Sequence, residues 1–334
     1  MADGGEGTLD ALISALGGER RWVRVRGPLG DPVDAAFGLT AERPPRAVIE
    51  MATASGLALV SERRRDPLRA STYGTGELIR AACRAGAREV IVGLGGSATT
   101  DGGAGMAQAV GVRLVDAAGR DLASGGAELL GLARIDVGGL DPAVRRARFV
   151  AAYDVDSPLA GPRGAAAVFG PQKGAGPAEV AVLDRALAHL AAIVHRDLGL
   201  DLRDVPGAGA AGGLGAGLVA FLGAHLRPGV EVVMDAVGLQ TRMAAADLVI
   251  TGEGAFDAQS LLGKVTGGVI RTARALGVPV AVLCGRSELA VEGVAVESLV
   301  ERVGEDRALG DTRLALEELA AWVAARAPTL SSGA

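Results

Sequence analysis

Short apolar segments recur along the chain, and most of them end in glycine. The clearest are residues 89–96, 148–154, 247–254 and 278–285. Apolar runs of this length suit strands whose two faces are both covered, as they are in a parallel sheet. Each of the four is therefore predicted to be a buried strand.

Segments with helical periodicity lie between these runs, at residues 75–85, 178–198 and 261–276. Alternation of strands and helices predicts α/β architecture with largely parallel sheets. Residues 22–60 combine short apolar stretches with a Gly-Pro turn, which predicts strands joined by turns. A further helix is predicted at residues 214–226.

The composition narrows the classes of function. The 334 residues carry a net charge of −5, and only 3% of them are aromatic. A nucleic-acid-binding surface would need a basic excess or aromatic stacking platforms, so we expect no nucleic-acid partner. Two cysteines suit a reducing compartment, and neither a signal peptide nor a membrane-spanning segment is recognised. We therefore expect a cytoplasmic protein with no membrane partner.

Lysine is rare in this chain. The basic residues are almost all arginine, and Lys173 and Lys264 are the only two lysines. A lysine ammonium is a compact point charge that fits against a single phosphate oxygen. Because both lysines lie in glycine-rich segments, both are candidate catalytic residues.

The first glycine-rich segment, residues 95–105, begins where the predicted strand at 89–96 ends. In open α/β sheets, ligands bind beyond the carboxyl ends of the strands. Glycines let backbone N–H groups approach a phosphate closely, and hydroxyl side chains add further donors. The candidate phosphate-binding residues here are Gly95, Gly96, Ser97, Thr99, Gly102 and Gly103.

Asp101 lies in the same segment, although a site that only binds phosphate needs no carboxylate there. The residue could bind Mg²⁺, contact a substrate hydroxyl or cap the following helix. The sequence leaves these interpretations open.

The second glycine-rich segment, residues 251–264, places two carboxylates near a lysine. Glu253, Asp257 and Lys264 could hold a magnesium-bound nucleotide there, with Gly252 and Gly254 as backbone contacts. The structural alternative is a capped helix with a polar start.

Two further glycine-rich segments complete the set. Residues 169–174 carry Lys173, and residues 3–8 carry Glu6 as a candidate ligand contact.

Standard nucleotide-binding motifs are missing. The chain contains no G-x-x-x-x-G-K-[ST] sequence, which excludes a P-loop enzyme. Residues 207–212 match G-x-G-x-x-G, but Pro206 precedes them and no predicted strand leads into them. An NAD-type oxidoreductase is therefore only a weaker alternative.

The glycine-rich segments and their neighbours resemble those of the class I glycerate kinase family, the bacterial glycerate 2-kinases. The matching segments follow the family order and cover nearly the whole chain. They are ADGGEGT (2–8), GPLGDPVDA (27–35), VIEMATASGLALV (48–60), STYGTGELI (71–79), GLGGSATTDGGAGMAQAVG (93–111), YDVDSPLAGPRGAAAVFGPQKGA (153–175), PGAGAAGGLGAGL (206–218) and DLVITGEGAFDAQSLLGKVTGGV (247–269).

The resemblance implies ATP-dependent phosphorylation of D-glycerate, at its 2-hydroxyl, with Mg²⁺ as cofactor. It also implies two α/β domains. Residues 1–20 and 240–334 would form a flavodoxin-like domain from both chain ends, and residues 21–239 would form a larger inserted α/β domain. A homo-oligomer is possible.

The resemblance also implies a segment before Ala2 that carries the first strand of the flavodoxin-like domain. We expect either that the start has been assigned at an internal methionine or that this form is truncated. A truncated, catalytically impaired member that acts as a binding or regulatory protein is the alternative function.

Phosphoryl transfer requires positioning, charge neutralisation and removal of a hydroxyl proton. We assign the phosphates to residues 95–103 and the proton to either Asp101 or Asp257. Glu253 is the first candidate Mg²⁺ ligand and Asp154 the second. The two lysines would offset negative charge on the phosphoryl group or on the carboxylate of glycerate.

Overall fold

The computed structural model describes residue 5, residues 7–261 and residues 265–326. The chain forms two compact units, one ending at Val233 and the other beginning at Met234.

The larger unit contains a six-stranded mixed sheet in the order β1-β2-β3-β4-β7-β8. Strands β1, β2 and β3 pair antiparallel, whereas β3, β4, β7 and β8 are parallel to one another. Strands β5 and β6 form a separate antiparallel pair. The strands are β1 (Gly18–Arg26), β2 (Pro32–Thr40), β3 (Arg46–Glu50), β4 (Glu89–Gly93), β5 (Arg113–Val115), β6 (Arg134–Asp136), β7 (Arg148–Tyr153) and β8 (His225–Pro228).

The helices of this unit are α1 (Thr8–Leu16), α2 (Ala52–Ser55), α3 (Tyr73–Arg84), α4 (Ala104–Ala109), α5 (Pro142–Arg145), α6 (Ala165–Phe169), α7 (Pro177–Leu198), α8 (Ala210–Leu222) and α9 (Gly229–Ala236), which spans the boundary between the units. Helices α2 to α8 share one large apolar core with the sheet.

Local sequence signals explain the limits of α7, the longest of these helices. Pro177 occupies its first turn, and the Glu179 carboxylate accepts a hydrogen bond of 2.6 Å from the Gly176 N–H. At the other end Gly199 adopts a φ of 72°, a left-handed conformation that glycine tolerates at helix ends. The predicted helix at 178–198 is confirmed within one residue.

The C-terminal unit contains a three-stranded parallel sheet in the order β11-β10-β9. Its small core lies between β10 and the helices that follow β11. The elements are α10 (Leu239–Ala244), β9 (Val249–Phe256), α11 (Val265–Ala275), β10 (Val280–Ser287), β11 (Ala295–Ser298), α12 (Leu299–Val303), α13 (Glu305–Gly310) and α14 (Thr312–Ala324).

The structure confirms the predicted α/β architecture and the four predicted strands, which are β4, β7, β9 and β10. The helix predicted at residues 214–226 is wrong at its end, because α8 ends at Leu222 and Leu226 lies in β8. Gly223 explains the stop, since its φ of 64° turns the chain out of the helix.

The observed boundary between the two units also differs from the predicted domain limits, which lie at residues 20/21 and 239/240. It falls at residue 233 instead of 239, and residues 8–16 group with the larger unit. Helix α1 packs there against β2 and β3, and the Leu9 N–H donates to Oε1 of Glu50 at 2.8 Å. Within the described residues, no helix combines the length and apolar character needed to cross a bilayer.

Candidate functional site

The first glycine-rich segment lies where sequence analysis placed it, after β4 at the carboxyl ends of the parallel strands. Backbone hydrogen bonds hold it on two sides. The Leu57 N–H donates to the Gly96 carbonyl at 2.8 Å, and the Gly102 N–H donates to the Gly212 carbonyl at 3.0 Å. The segment therefore has a fixed path through the larger unit.

Asp101 is fully buried in this segment, and its carboxylate is saturated with donors. It accepts hydrogen bonds from the backbone N–H groups of Gly103 and Gly105, each at 3.1 Å. Thr72 donates twice more, from its backbone N–H at 2.8 Å and from its hydroxyl at 2.9 Å. The carboxylate thus caps the start of α4 and joins it to the segment before α3.

Burial raises the pKa of the Asp101 carboxyl group, while its hydrogen bonds act in the opposite direction. A substrate hydroxyl has no route to a carboxylate that is 0% exposed and already accepts these bonds. Of the roles left open by the sequence, this geometry favours the helix cap.

Lys173 ends a short 3-10 helix, Pro171–Lys173, and is only 2% exposed. Its ammonium group donates to the Ser97 hydroxyl at 2.8 Å and to the Thr99 carbonyl at 2.6 Å. Burial lowers the pKa of Lys173 to about 7, although the nearby Asp101 acts to raise it. The lysine therefore braces the glycine-rich segment from within and is easily deprotonated.

Donors remain available along the same segment. The backbone N–H groups of Gly95, Gly96 and Ser97 donate to no other described residue. Likewise, the buried hydroxyls of Thr99 and Thr100 find no partner within the described part of the chain. Since buried polar groups are normally paired, these donors suit an anionic ligand or ordered water.

Close backbone packing requires glycine at the start of this segment. A Cβ on Gly95 would lie 2.9 Å from the Cα of Gly5, so Gly5 meets the first glycine-rich segment here. Glu6, the candidate ligand contact in residues 3–8, lies outside the described residues.

Asp154, the second candidate for Mg²⁺, is exposed and directly follows β7, the neighbour of β4 in the sheet. It therefore lies at the same edge as the glycine-rich segment. No group of three histidine, cysteine, aspartate or glutamate side chains suited to a metal ion occurs in residues 5, 7–261 and 265–326.

The second glycine-rich segment lies in the C-terminal unit. Gly252, Glu253 and Gly254 lie inside β9, within the predicted strand at 247–254, and β9 continues two residues beyond that prediction, to Phe256. Gly252 pairs with Leu283, whose carbonyl would lie 2.2 Å from a Cβ at this position. The strand continues because the missing side chain lets β10 approach.

Glu253 and Asp257 have contrasting surroundings. Oε1 of Glu253 is buried and finds no hydrogen-bond partner in the described residues. Asp257 is half-buried and forms a reciprocal cap with Ser260, in which each backbone N–H donates to the other's side chain at 3.1 Å. Lys264, the third candidate, lies outside the described residues.

Sequence reasoning missed Thr72, which supplies two of the donors to Asp101. The signal was available, because residue 72 lies in one of the segments that carry the family resemblance, but nothing local connects it to residue 101. The G-x-G-x-x-G match at residues 207–212 precedes the main body of α8, and no described strand leads into it. Cys83 and Cys284 are buried, and burial raises the pKa of their thiols to about 12 and about 11.

Comparisons with known proteins all indicate the same family. The model of the glycerate kinase family matches residues 1–329. A glycerate kinase of Halalkalibacterium halodurans is 50% identical over 309 residues, which cover 91% of this chain and 81% of the relative. A glycerate 2-kinase of Escherichia coli K12 is 49% identical over 285 residues, covering 85% of this chain and 74% of the relative.

A crystal structure assigned to glycerate kinase 2 of Salmonella typhimurium LT2 has a similar fold. The TM-score is 0.81 at 46% sequence identity, and the match covers 96% of this chain and 88% of the Salmonella chain.

Proposed function

Because the chain belongs to the glycerate kinase family, we propose that it transfers the γ-phosphoryl group of ATP to the 2-hydroxyl of D-glycerate. Family membership makes the chain a kinase. The proposal adds the donor, the acceptor and the position of transfer. The name of the E. coli relative supports the 2-position.

One observation carries the proposal: the row of backbone N–H groups at Gly95, Gly96 and Ser97 that donates to no described residue. Preorganised N–H donors stabilise the negative charge of phosphates because they need no reorganisation when the charge develops. Lys173 holds the segment in shape through Ser97 and Thr99, and Asp101 holds it through α4.

Removal of the hydroxyl proton needs an accessible base. We assign this role to Asp257 in preference to Asp101, because the Asp257 carboxylate is half-buried whereas that of Asp101 is enclosed. The cap with Ser260 fixes the orientation of Asp257, as a general base requires.

Magnesium, when bound, would neutralise charge on the phosphates. Glu253 fits this role because its buried Oε1 finds no partner in the described chain. Asp154 is the second candidate. Mg²⁺ usually keeps several waters and binds one or two carboxylates plus phosphates, so the ion does not need a group of three acidic side chains. An ATP-dependent enzyme of this kind would act in the cytoplasm.

The test is a steady-state assay with purified protein, ATP, Mg²⁺ and D-glycerate. We expect ADP release that depends on D-glycerate, and a product that enolase alone converts to phosphoenolpyruvate. A product that also needs phosphoglycerate mutase would disprove transfer to the 2-position. No glycerate-dependent ADP release, or oxidation of added NADH, would favour the alternative functions.

A further inference from the structure

A second pocket in the larger unit has no role in the function described so far. It has an open volume of about 430 Å³, a size typical of small-molecule sites. Two of the segments that carry the family resemblance, residues 27–35 and 71–79, contribute to it. Its lining consists of Arg26, Gly27, Pro28, Leu29, Gly30, Arg64, Asp66, Arg69, Ser71, Tyr73 and Ser124.

Backbone contacts fix the walls of this arginine pocket. The Ser71 N–H donates to the Pro28 carbonyl at 2.9 Å, which joins the two segments. Gly30 has a φ of 93°, and its N–H donates to the Gly27 carbonyl at 3.0 Å, closing a tight turn. A Cβ on Gly74 would lie 1.9 Å from the Arg26 carbonyl, so the backbones pack without intervening side chains.

Electrostatics make the pocket suitable for an anion. Three arginines and one aspartate line it, and the carboxylates of Asp31 and Glu77 pair with Arg64 and Arg26, so Arg69 carries the positive charge that no ion pair in the described chain balances. Two of the guanidinium groups are engaged: that of Arg26 lies 4.0 Å from the Tyr73 ring centroid, and that of Arg64 pairs with Asp31. By contrast, the Arg69 guanidinium makes no ion pair or hydrogen bond with any described residue.

The single carboxylate of the pocket does not neutralise this group. Oδ1 of Asp66 accepts the backbone N–H of Arg69 at 3.2 Å, which is a turn contact and not a bond to the guanidinium. Arg69 is exposed and free to bind a ligand with its planar pair of donors.

The pocket shares a wall with the glycine-rich segment. Ser71 and Tyr73 line the pocket, and Thr72 between them donates to Asp101. A ligand beside Ser71 and Tyr73 would therefore lie against the backbone that holds Asp101, in the same unit as the segment assigned to the phosphates.

We propose that the arginine pocket binds the carboxylate of a small hydroxy acid, with Arg69 as the residue that recognises it and so determines the acceptor specificity. The inference rests on the proposed function and extends it. A guanidinium group binds a carboxylate through two parallel hydrogen bonds, which gives both affinity and geometric selection.

The test compares Arg69→Gln with a matched control, Arg63→Gln. Arg63 is an exposed arginine that lies close in sequence but does not line the pocket. Loss of a charged hydrogen-bond pair should raise the KM for D-glycerate roughly 10- to 100-fold in Arg69→Gln, while the KM for ATP stays within about twofold. Arg69→Lys, which keeps the charge but not the paired geometry, should give an intermediate KM for D-glycerate.

An unchanged KM for D-glycerate in Arg69→Gln would overturn the proposal, as would an equal rise in Arg63→Gln. Because Arg69 is exposed, circular dichroism should show that both variants fold like the wild type.

A binding measurement separates failure of this inference from failure of the proposed function. D-Glycerate without nucleotide should raise the Tm of the wild type and of Arg63→Gln but not that of Arg69→Gln, and glycerol, which lacks the carboxylate, should raise none. If D-glycerate is not phosphorylated yet this Tm pattern holds for it or for D-lactate, the function fails and the pocket stands. If neither acid shifts the wild-type Tm, or if Arg69→Gln responds like the wild type, the pocket assignment is wrong.

Discussion

The glycine-rich segments of the two units contain the same kinds of residue and yet place them in opposite environments. After β4, Asp101 is enclosed and Lys173 is 2% exposed beside Ser97. At the end of β9, Asp257 is half-buried and caps the backbone N–H of Ser260, three residues away. Glycine, hydroxyl and carboxylate in one short stretch therefore do not define a single role.

The difference comes from residues that are distant in sequence. Thr72 lies 29 positions from Asp101, and Lys173 lies 76 positions from Ser97. Both are brought to the first segment by the packing of the larger unit, where they convert its polar side chains into structural supports. The cap between Asp257 and Ser260 is local by contrast, and Asp257 is only half-buried.

Replacing Asp101 should have the largest effect. Asp101→Ala leaves the backbone N–H groups of Gly103 and Gly105 at the start of α4, and the N–H and hydroxyl of Thr72, without their acceptor. Since each buried unpaired donor costs roughly 1–3 kcal/mol, with incomplete additivity, we expect a loss of roughly 3–6 kcal/mol in the free energy of unfolding. Urea denaturation measures it, and a loss below about 1 kcal/mol would contradict the structural role.

Lys173 should make stability depend on pH. Its pKa is about 7 in the folded protein against 10.5 for an ordinary lysine. Between these values the unfolded chain holds a proton that the folded chain lacks, so the free energy of unfolding rises with pH through this window. Below about pH 7 both states are protonated, and the full cost of burying the charge is present.

The measurement compares wild type with Lys173→Met by urea denaturation at about pH 6.5 and about pH 9. The difference in unfolding free energy, wild type minus variant, should increase at the higher pH. Taking the difference removes titrations that are common to both proteins. A difference that does not change with pH would show that Lys173 titrates normally.

Features that depend on neighbouring residues could be predicted from the sequence, whereas contacts between distant residues could not. Strands β4 and β7 were predicted from apolar runs because their burial follows directly from composition. The strand predicted to end at Gly254 continues to Phe256, and the close approach of Leu283, which keeps Gly252 in β9, has no local signal in the sequence. The resemblance identified the family, yet no local pattern could show that Thr72 saturates Asp101.

Two variants of Asp257 should separate its structural role, the cap on Ser260, from its proposed role as the general base. Asp257→Ala removes the cap on Ser260, which costs about 1 kcal/mol of stability. Asp257→Asn keeps a capping oxygen, so its stability should match the wild type within about 0.5 kcal/mol. Because an amide is not a base, its kcat should still fall about 100-fold or more. Wild-type kcat in Asp257→Asn would remove Asp257 from the mechanism.

Substitution of Gly254 should give the smallest change in stability, and it tests whether β9 contacts the nucleotide. A Cβ at Gly254 would meet nothing within 4 Å, whereas a Cβ at Gly252 would collide with the Leu283 carbonyl. Gly254→Ala should therefore unfold within about 0.5 kcal/mol of the wild type, and Gly252→Ala, the matched control, should be clearly less stable. If the phosphates approach the backbone here, the added methyl group of Gly254→Ala raises the KM for ATP several-fold without a loss of stability. An unchanged KM for ATP would leave Gly254 as an ordinary strand residue and assign phosphate binding to the segment after β4 alone.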